Sequence, residues 1–127
     1  MLIDDDEDLL LTYHALLEAE GYTVHTFARP FACPADIARL HPDVIVLNLL
    51  FCGEPGGWAM RAALRTDRKA AHVPVVICTA ALRQPVAYPR ELGVGAHTLA
   101  VVPKPFDIDA FLETIAAACR LRALQRV

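Results

Sequence analysis

The sequence predicts an α/β domain in which helices cover both faces of an open parallel sheet, and two patterns carry this prediction. The runs at residues 44–47 and 73–78 are wholly apolar, which is typical of strands that are buried on both faces of a sheet. Segments with apolar residues at helical spacing separate the predicted strands, so that strand and helix alternate five times along the chain. The simplest architecture for that order is a doubly wound sheet between two helix layers.

The first predicted elements are a strand, a helix and a second strand. Residues 1–3 form a short apolar run, and leucines at helical spacing continue to Gly21. Asp6 or Asp8 can cap this helix, because a short carboxylate accepts hydrogen bonds from the free amides of the first turn. Gly21 suits the left-handed position after a helix, and residues 22–27 are predicted to form the second strand.

The middle of the chain continues with a short helix, the third strand and a longer helix. The short helix spans about residues 33–40 and stops before Pro42, which cannot continue it. Residues 44–47 form the third strand. The turn-forming residues 51–57 make a loop, and a helical pattern begins at Trp58.

Two further strands and a final helix complete the predicted order. Residues 73–78 form the fourth strand and residues 99–102 the fifth. The final helix follows Asp107, a suitable capping residue, and carries a single apolar stripe that can pack on the sheet.

Composition limits the function. The 127 residues, 55% hydrophobic and 21% charged, suffice for one domain over residues 1–127. A net charge of -3 provides no basic surface, so direct nucleic-acid binding is not expected. No apolar run approaches the roughly 20 residues that cross a bilayer, and no signal-peptide pattern is present, so a cytoplasmic location is expected. The four cysteines include no C-x-x-C pair and predict neither a zinc site nor a disulfide scaffold.

Polar side chains stand where the predicted strands end. Asp4 and Asp5 follow the first strand, Asn48 the third, Thr79 the fourth and Lys104 the fifth. The carboxyl ends of parallel strands meet at one edge of a sheet, so we expect these side chains to gather. Carboxylates can hold Mg²⁺, and a hydroxyl and an ammonium can bind phosphoryl oxygens. Each residue alone has a simpler structural explanation, but the set in this order favours a phosphate site.

The chain resembles the receiver domain of bacterial two-component response regulators. The stretches that carry the resemblance are residues 2–6, 42–49, 73–80 and 103–106. It implies a flavodoxin-like, CheY-like five-stranded fold in three layers, with Asp4 and Asp5 as Mg²⁺ ligands. It also implies that Thr79 is the hydroxyl switch residue and Lys104 the phosphate-binding lysine.

The sequence departs from that family at the centre of the site. Asn48 stands where the resemblance places the aspartate that accepts a phosphoryl group. An uncharged amide cannot form an acyl phosphate, and two carboxylates in place of three predict weak or absent Mg²⁺ binding. Asn48 can instead donate a hydrogen bond to Asp5 or accept one from Lys104 or Thr79.

Three further departures affect the relay of a signal. Val101 stands where the family has an aromatic switch residue, and Pro85 and Pro89 fall where its fourth helix lies. An interior proline costs about 3 kcal/mol, so that helix is predicted to be short or displaced. Residues 1–3 also leave a clipped first strand, as expected if a few residues precede Met1.

The functional hypothesis is a receiver-like module without enzymatic activity that works independently of phosphorylation. Its partner would be a protein, namely a histidine kinase, an output protein or a second copy of the chain. One alternative is a phosphohydrolase similar to haloacid dehalogenases, with Asp4 as nucleophile, for which only Asp107 and Asp109 could be the later acidic pair. Another is a receiver that is phosphorylated on a different residue, for instance Thr79.

Overall fold

The computed structural model describes residues 1–29, 37, 39–48, 56–79, 98–103 and 107–125. Within these ranges the strands are β1 (Leu2–Ile3), β2 (Thr26–Phe27), β3 (Ile45–Leu47), β4 (Val75–Thr79) and β5 (Thr98–Pro103). The helices in the same ranges are α1 (Glu7–Ala19), α2 (Gly56–Thr66) and α3 (Ile108–Gln125).

The described strands form one sheet in the order β2-β1-β3-β4-β5. Every pair of neighbours is parallel, as expected for strands joined by helical crossovers. The strand order reverses direction between β1 and β3, which is the point where sheets of this type bind ligands. The predicted doubly wound, flavodoxin-like fold is confirmed.

Two clusters of buried side chains fill the space between the sheet and its helices. One joins β1, β3 and β4 to α1 and α3, and includes Leu10, Leu17 and Phe111. There the rings of Tyr13 and Phe111 lie with centroids 5.1 Å apart. The second cluster lies on the other face of the sheet and includes Leu64 of α2. Both faces of the sheet are therefore covered, which explains its continuous apolar strands.

The ends of helix α1 follow the sequence signals. The Asp6 carboxylate accepts a hydrogen bond from the Leu9 amide at 3.0 Å, so Asp6 rather than Asp8 is the N-cap. Gly21 has a φ of 92°, a left-handed conformation that a residue with a Cβ rarely adopts. The Tyr22 amide then donates to Leu17 O at 3.1 Å and closes the helix end.

The observed strand bounds differ from the predicted ones, most of all at β2. Strand β2 begins at Thr26 rather than at residue 22, because β1 reaches back only to Leu2 and offers no pairing edge to residues 22–24. Strand β4 is displaced to Val75–Thr79, and β5 is one residue longer at each end. Helix α2 begins at Gly56, two residues earlier than predicted.

Two helix predictions concern segments that are described only in part. Of the short helix predicted near residues 33–40, residues 37 and 39 are helical, and the Leu40 amide donates to Ile37 O at 3.1 Å. Pro85 and Pro89, which predict a short or displaced fourth helix, lie outside the described residues. Among the described helices, none combines the length and the apolar composition that a bilayer crossing requires.

Candidate functional site

The centre of the site is formed where β1 and β3 end side by side. The Asp4 amide donates to Phe27 O of β2 at 3.1 Å, and the Asn48 amide donates to Ile3 O of β1 at 2.9 Å. These bonds continue the hydrogen-bonding pattern of the sheet by one residue beyond the strands, and they fix the backbone positions of Asp4 and Asn48. Asp4 and Asn48 are therefore held next to each other at the carboxyl edge, at the reversal of strand order.

The side chain of Asn48 joins the two carboxylates. Its Nδ2 lies 3.1 Å from Asp5 Oδ1 and 3.4 Å from Asp4 Oδ1. Asp4 Oδ1 also accepts the Asp6 amide at 3.0 Å, so its orientation is fixed by the start of α1. Only the amide nitrogen can face two carboxylate oxygens favourably, because the amide oxygen would repel them. The structure thus brings together three of the predicted residues.

Burial makes these hydrogen bonds important for stability. Asp4 is 4% exposed and Asn48 is 6% exposed, while Asp5 is half-buried. A buried carboxylate is costly unless it is hydrogen-bonded, and two neighbouring carboxylates also repel each other. The amide hydrogens of Asn48 place partial positive charge between them. Asn48 therefore offsets part of the repulsion between the two carboxylates.

The other predicted residues differ in how far they are described. Thr79 is the last residue of β4, and it pairs with Pro103, the last residue of β5. Both strands therefore end at the carboxyl edge where Asn48 lies. Val101 lies within β5, where it pairs with Ile77. Lys104, which directly follows Pro103 in the sequence, lies outside the described residues.

The orientation of the Asn48 side chain bears on how Mg²⁺ could use Asp4 and Asp5. In the described part of the chain, no three His, Cys, Asp or Glu side chains are grouped so that they could hold a metal ion. Asn48 presents N–H groups to Asp4 and Asp5, and N–H groups cannot coordinate a cation. A magnesium ion that used the Asn48 oxygen as a ligand would require this side chain to turn and to lose both hydrogen bonds.

Two residues that the sequence patterns did not single out lie behind Asp4. Tyr13 of α1 and Cys78 of β4 line a small space of about 10 Å³ together with Asp4 and Asn48. The pKa of Tyr13 is raised by burial first, and then by the negative charges of Cys78, Asp4 and Asp6. The available sequence signals were that Cys78 precedes the strand end at Thr79 and that Tyr13 shares the apolar stripe of α1.

Comparison with known proteins identifies the class. The family profile of the response regulator receiver domain matches residues 1–116, which is most of the chain, so the chain belongs to that family. It is a receiver domain of two-component signalling.

Individual relatives agree with this assignment. The chain is 31% identical over 118 residues to the polar-differentiation response regulator DivK of Brucella ovis, covering 91% of this chain and 90% of DivK. The crystal structure of the NtrX receiver domain from Brucella abortus superposes with a TM-score of 0.73 at 20% identity, with 94% of this chain and 96% of that domain covered. A longer NtrX chain from Brucella abortus, in complex with ATP, superposes with a TM-score of 0.78 at 19% identity. The superposition covers 98% of this chain and 27% of the NtrX chain. These structures share the fold of this protein.

Proposed function

We propose that this chain is a receiver domain that signals without accepting a phosphoryl group, by binding a protein partner in the cytoplasm. The observation that carries the proposal is the position of Asn48 Nδ2, within 3.4 Å of the carboxylates of both Asp4 and Asp5. In this proposal Asn48 occupies the place of the phosphoacceptor aspartate and closes the site with its own hydrogen bonds.

The chemistry of the amide supports the absence of phosphotransfer. The nitrogen lone pair of Asn48 is delocalised into the carbonyl group, and the nitrogen already donates to two carboxylates. Neither atom of the amide is therefore the anionic oxygen nucleophile that forms an acyl phosphate. Asp4 Oδ1 accepts hydrogen bonds from Asn48 and from the Asp6 amide, which lowers the nucleophilicity of that oxygen. This geometry favours the receiver over the phosphohydrolase.

Exposed apolar side chains on α1 and α3 support a protein partner. Leu11 of α1 is 71% exposed and Leu124 of α3 is 72% exposed. Both helices pack on the same face of the sheet. Large exposed apolar residues of this kind are available for contact with another protein. The partner classes that fit this layer are a histidine kinase, an output protein and a second copy of the chain.

The test compares the native protein with Asn48→Asp in the presence of Mg²⁺ and acetyl phosphate. We expect intact-mass spectrometry to show no phosphoryl group on the native protein and one on Asn48→Asp. Beryllofluoride, which mimics a bound phosphoryl group, should shift the amide NMR signals of Asp4 and residue 48 in the variant alone. Asp5→Asn combined with Asn48→Asp serves as the control, because it removes a proposed metal ligand.

Other outcomes would assign the alternatives. A phosphoryl group on native protein that maps to Thr79 would show a receiver that uses a different acceptor. Turnover of an aryl phosphate with Mg²⁺ that is lost in Asp4→Asn would show a phosphohydrolase. Either result would contradict the proposal.

A further inference from the structure

Helix α3 has one side that faces away from the sheet. Phe111, Ile115 and Ala118 are buried in the cluster between the helix and the sheet. Because successive residues of a helix are turned by about 100°, Glu113 and Arg120 lie on the opposite side. Both of these residues are exposed.

A shallow groove of about 540 Å³ lies on this side of the helix. Its described lining residues are Ala110, Glu113, Thr114, Ala116, Ala117 and Arg120, which we call the α3 outer face. The Thr114 hydroxyl donates to Ala110 O at 2.8 Å, within the helix itself. Between the two charged residues, the groove is therefore lined by small side chains whose hydrogen bonding is satisfied. A second helix can approach such a surface closely.

The two charged residues of the α3 outer face are placed symmetrically. Glu113 and Arg120 carry opposite charges, and neither forms an ion pair in the part of the chain that the structure describes. They are seven residues apart, which is about two turns or 10 Å along the helix axis. The midpoint of this interval falls between Ala116 and Ala117. Each charge thus lies one helical turn from the same pair of small residues.

This spacing is self-complementary when two helices run in opposite directions. A two-fold axis through the midpoint places Glu113 of each copy opposite Arg120 of the other, and Ala116 opposite Ala117. A parallel arrangement would instead place Glu113 beside Glu113, where like charges repel each other. The antiparallel contact uses the same surface on both copies, so it closes as a dimer and does not continue into a filament.

We propose that the α3 outer face binds the same face of a second copy of the chain as an antiparallel helix pair. Two equivalent ion pairs between Glu113 and Arg120 border the contact and fix its register. Exposed ion pairs each contribute little to affinity, and one pair of helices makes a small interface. The dimer is therefore weak and forms at high micromolar protein concentrations.

This inference rests on the proposed function, because it names one partner for the layer of α1 and α3. The two proposals are measured by different experiments, so their failures can be told apart. A phosphoryl group on the native protein would contradict the proposed function and leave the dimer untouched. A native protein that stays monomeric would contradict the dimer and leave the result for phosphoryl transfer untouched.

Charge reversal in the full chain tests the dimer, with sedimentation at low ionic strength as the measurement. We expect Glu113→Arg and Arg120→Glu each to weaken dimerisation at least about tenfold, because the two-fold axis turns two attractions into two repulsions. A mixture of the two variants in equal amounts should dimerise again. In the mixed dimer, the arginine introduced at position 113 faces the glutamate introduced at position 120, and the native Arg120 faces the native Glu113.

Two control variants make the same changes of charge away from α3. Glu20→Arg and Arg65→Glu replace exposed residues of the α1 end and of α2, and we expect both to leave dimerisation unchanged. Circular dichroism of every variant verifies that the helices are intact.

Three results would overturn the inference. The first is a native protein that remains monomeric at millimolar concentration. The second is a dimer that neither Glu113→Arg nor Arg120→Glu weakens more than the controls do. The third is a mixture of these two variants that dimerises no better than each variant alone.

Discussion

Strands β1 and β3 have very different surroundings at their carboxyl and amino ends. At the carboxyl end, the Asn48 amide donates hydrogen bonds to the carboxylates of Asp4 and Asp5. At the amino end, the same two strands border a cavity of about 370 Å³. One end is thus spanned by hydrogen bonds between its own side chains, and the other borders a cavity.

The largest effect on stability should come from replacing Asn48 at the carboxyl end of the sheet. Asn48→Leu deletes both donors to Asp4 and Asp5, and we expect it to lower the free energy of unfolding by about 3 kcal/mol, because it leaves a buried carboxylate poorly bonded. Urea denaturation measures the change. In an Asp4→Asn background the same substitution should cost about 1 kcal/mol less. Equal costs in both backgrounds would show that Asn48 acts without Asp4.

Two valine-to-alanine substitutions compare packing in the core with packing beside the cavity at the amino end of the sheet. Val76 is fully buried in β4, whereas Val44, which is 6% exposed, also lines the cavity at the amino end of the sheet. We expect Val76→Ala to cost about 2 kcal/mol and Val44→Ala about 1 kcal/mol, since only the first creates a sealed void. Thermal or urea unfolding of both variants provides the measurement. A larger cost at Val44 would mean that the amino end is as tightly packed as the core.

The Met1 amino group, at the amino end of the sheet, should also make the free energy of unfolding depend on pH. The pKa of the Met1 amino group is about 6 in the folded chain and 8.0 in the reference state. Between these values the unfolded chain binds more protons, so stability should rise from pH 6 to pH 8. We expect a gain on the order of 1 kcal/mol after allowance for solvent screening. N-terminal acetylation removes the group, and identical urea midpoints with and without it across this range would refute the assignment.

The smallest effect on stability is expected at the surface of α1. Leu11→Ser replaces a side chain that is 71% exposed, so the free energy of unfolding should change by less than about 0.5 kcal/mol. Partner binding through the α1 and α3 layer should nevertheless weaken, which a pull-down can measure once a partner has been identified. Thr12→Ser on the same exposed helix surface is the control. Undiminished binding by Leu11→Ser would place the partner elsewhere.

Much of the fold followed from the sequence because its signals are local. The apolar runs before Asn48 and Thr79 predicted buried strands, and Asp6 and Gly21 marked the ends of α1. The extent of β2 was not predictable in the same way. Residues 22–25 have the composition of a strand, but pairing depends on how far β1 extends beside them. That is a property of a distant segment.

The sequence predicted which residues form the site, but not how their side chains are arranged. Strand order alone indicated that Asp4, Asp5 and Asn48 would meet, and they do. Several hydrogen-bonding arrangements of Asn48 were compatible with the sequence, and only the side-chain positions distinguish them. The place of Tyr13 behind Asp4 depends on the packing of α1 against Phe111, which no local pattern encodes.

The Asn48 amide, which lies between the two carboxylates, bears on how long a signal would last. A phosphorylated receiver carries a signal for only as long as its acyl phosphate survives hydrolysis. In the proposed function, Asn48 leaves no such bond to break, so the lifetime of the signal would be the lifetime of the polypeptide. Control would then lie in the synthesis and degradation of the protein and in the supply of its partner.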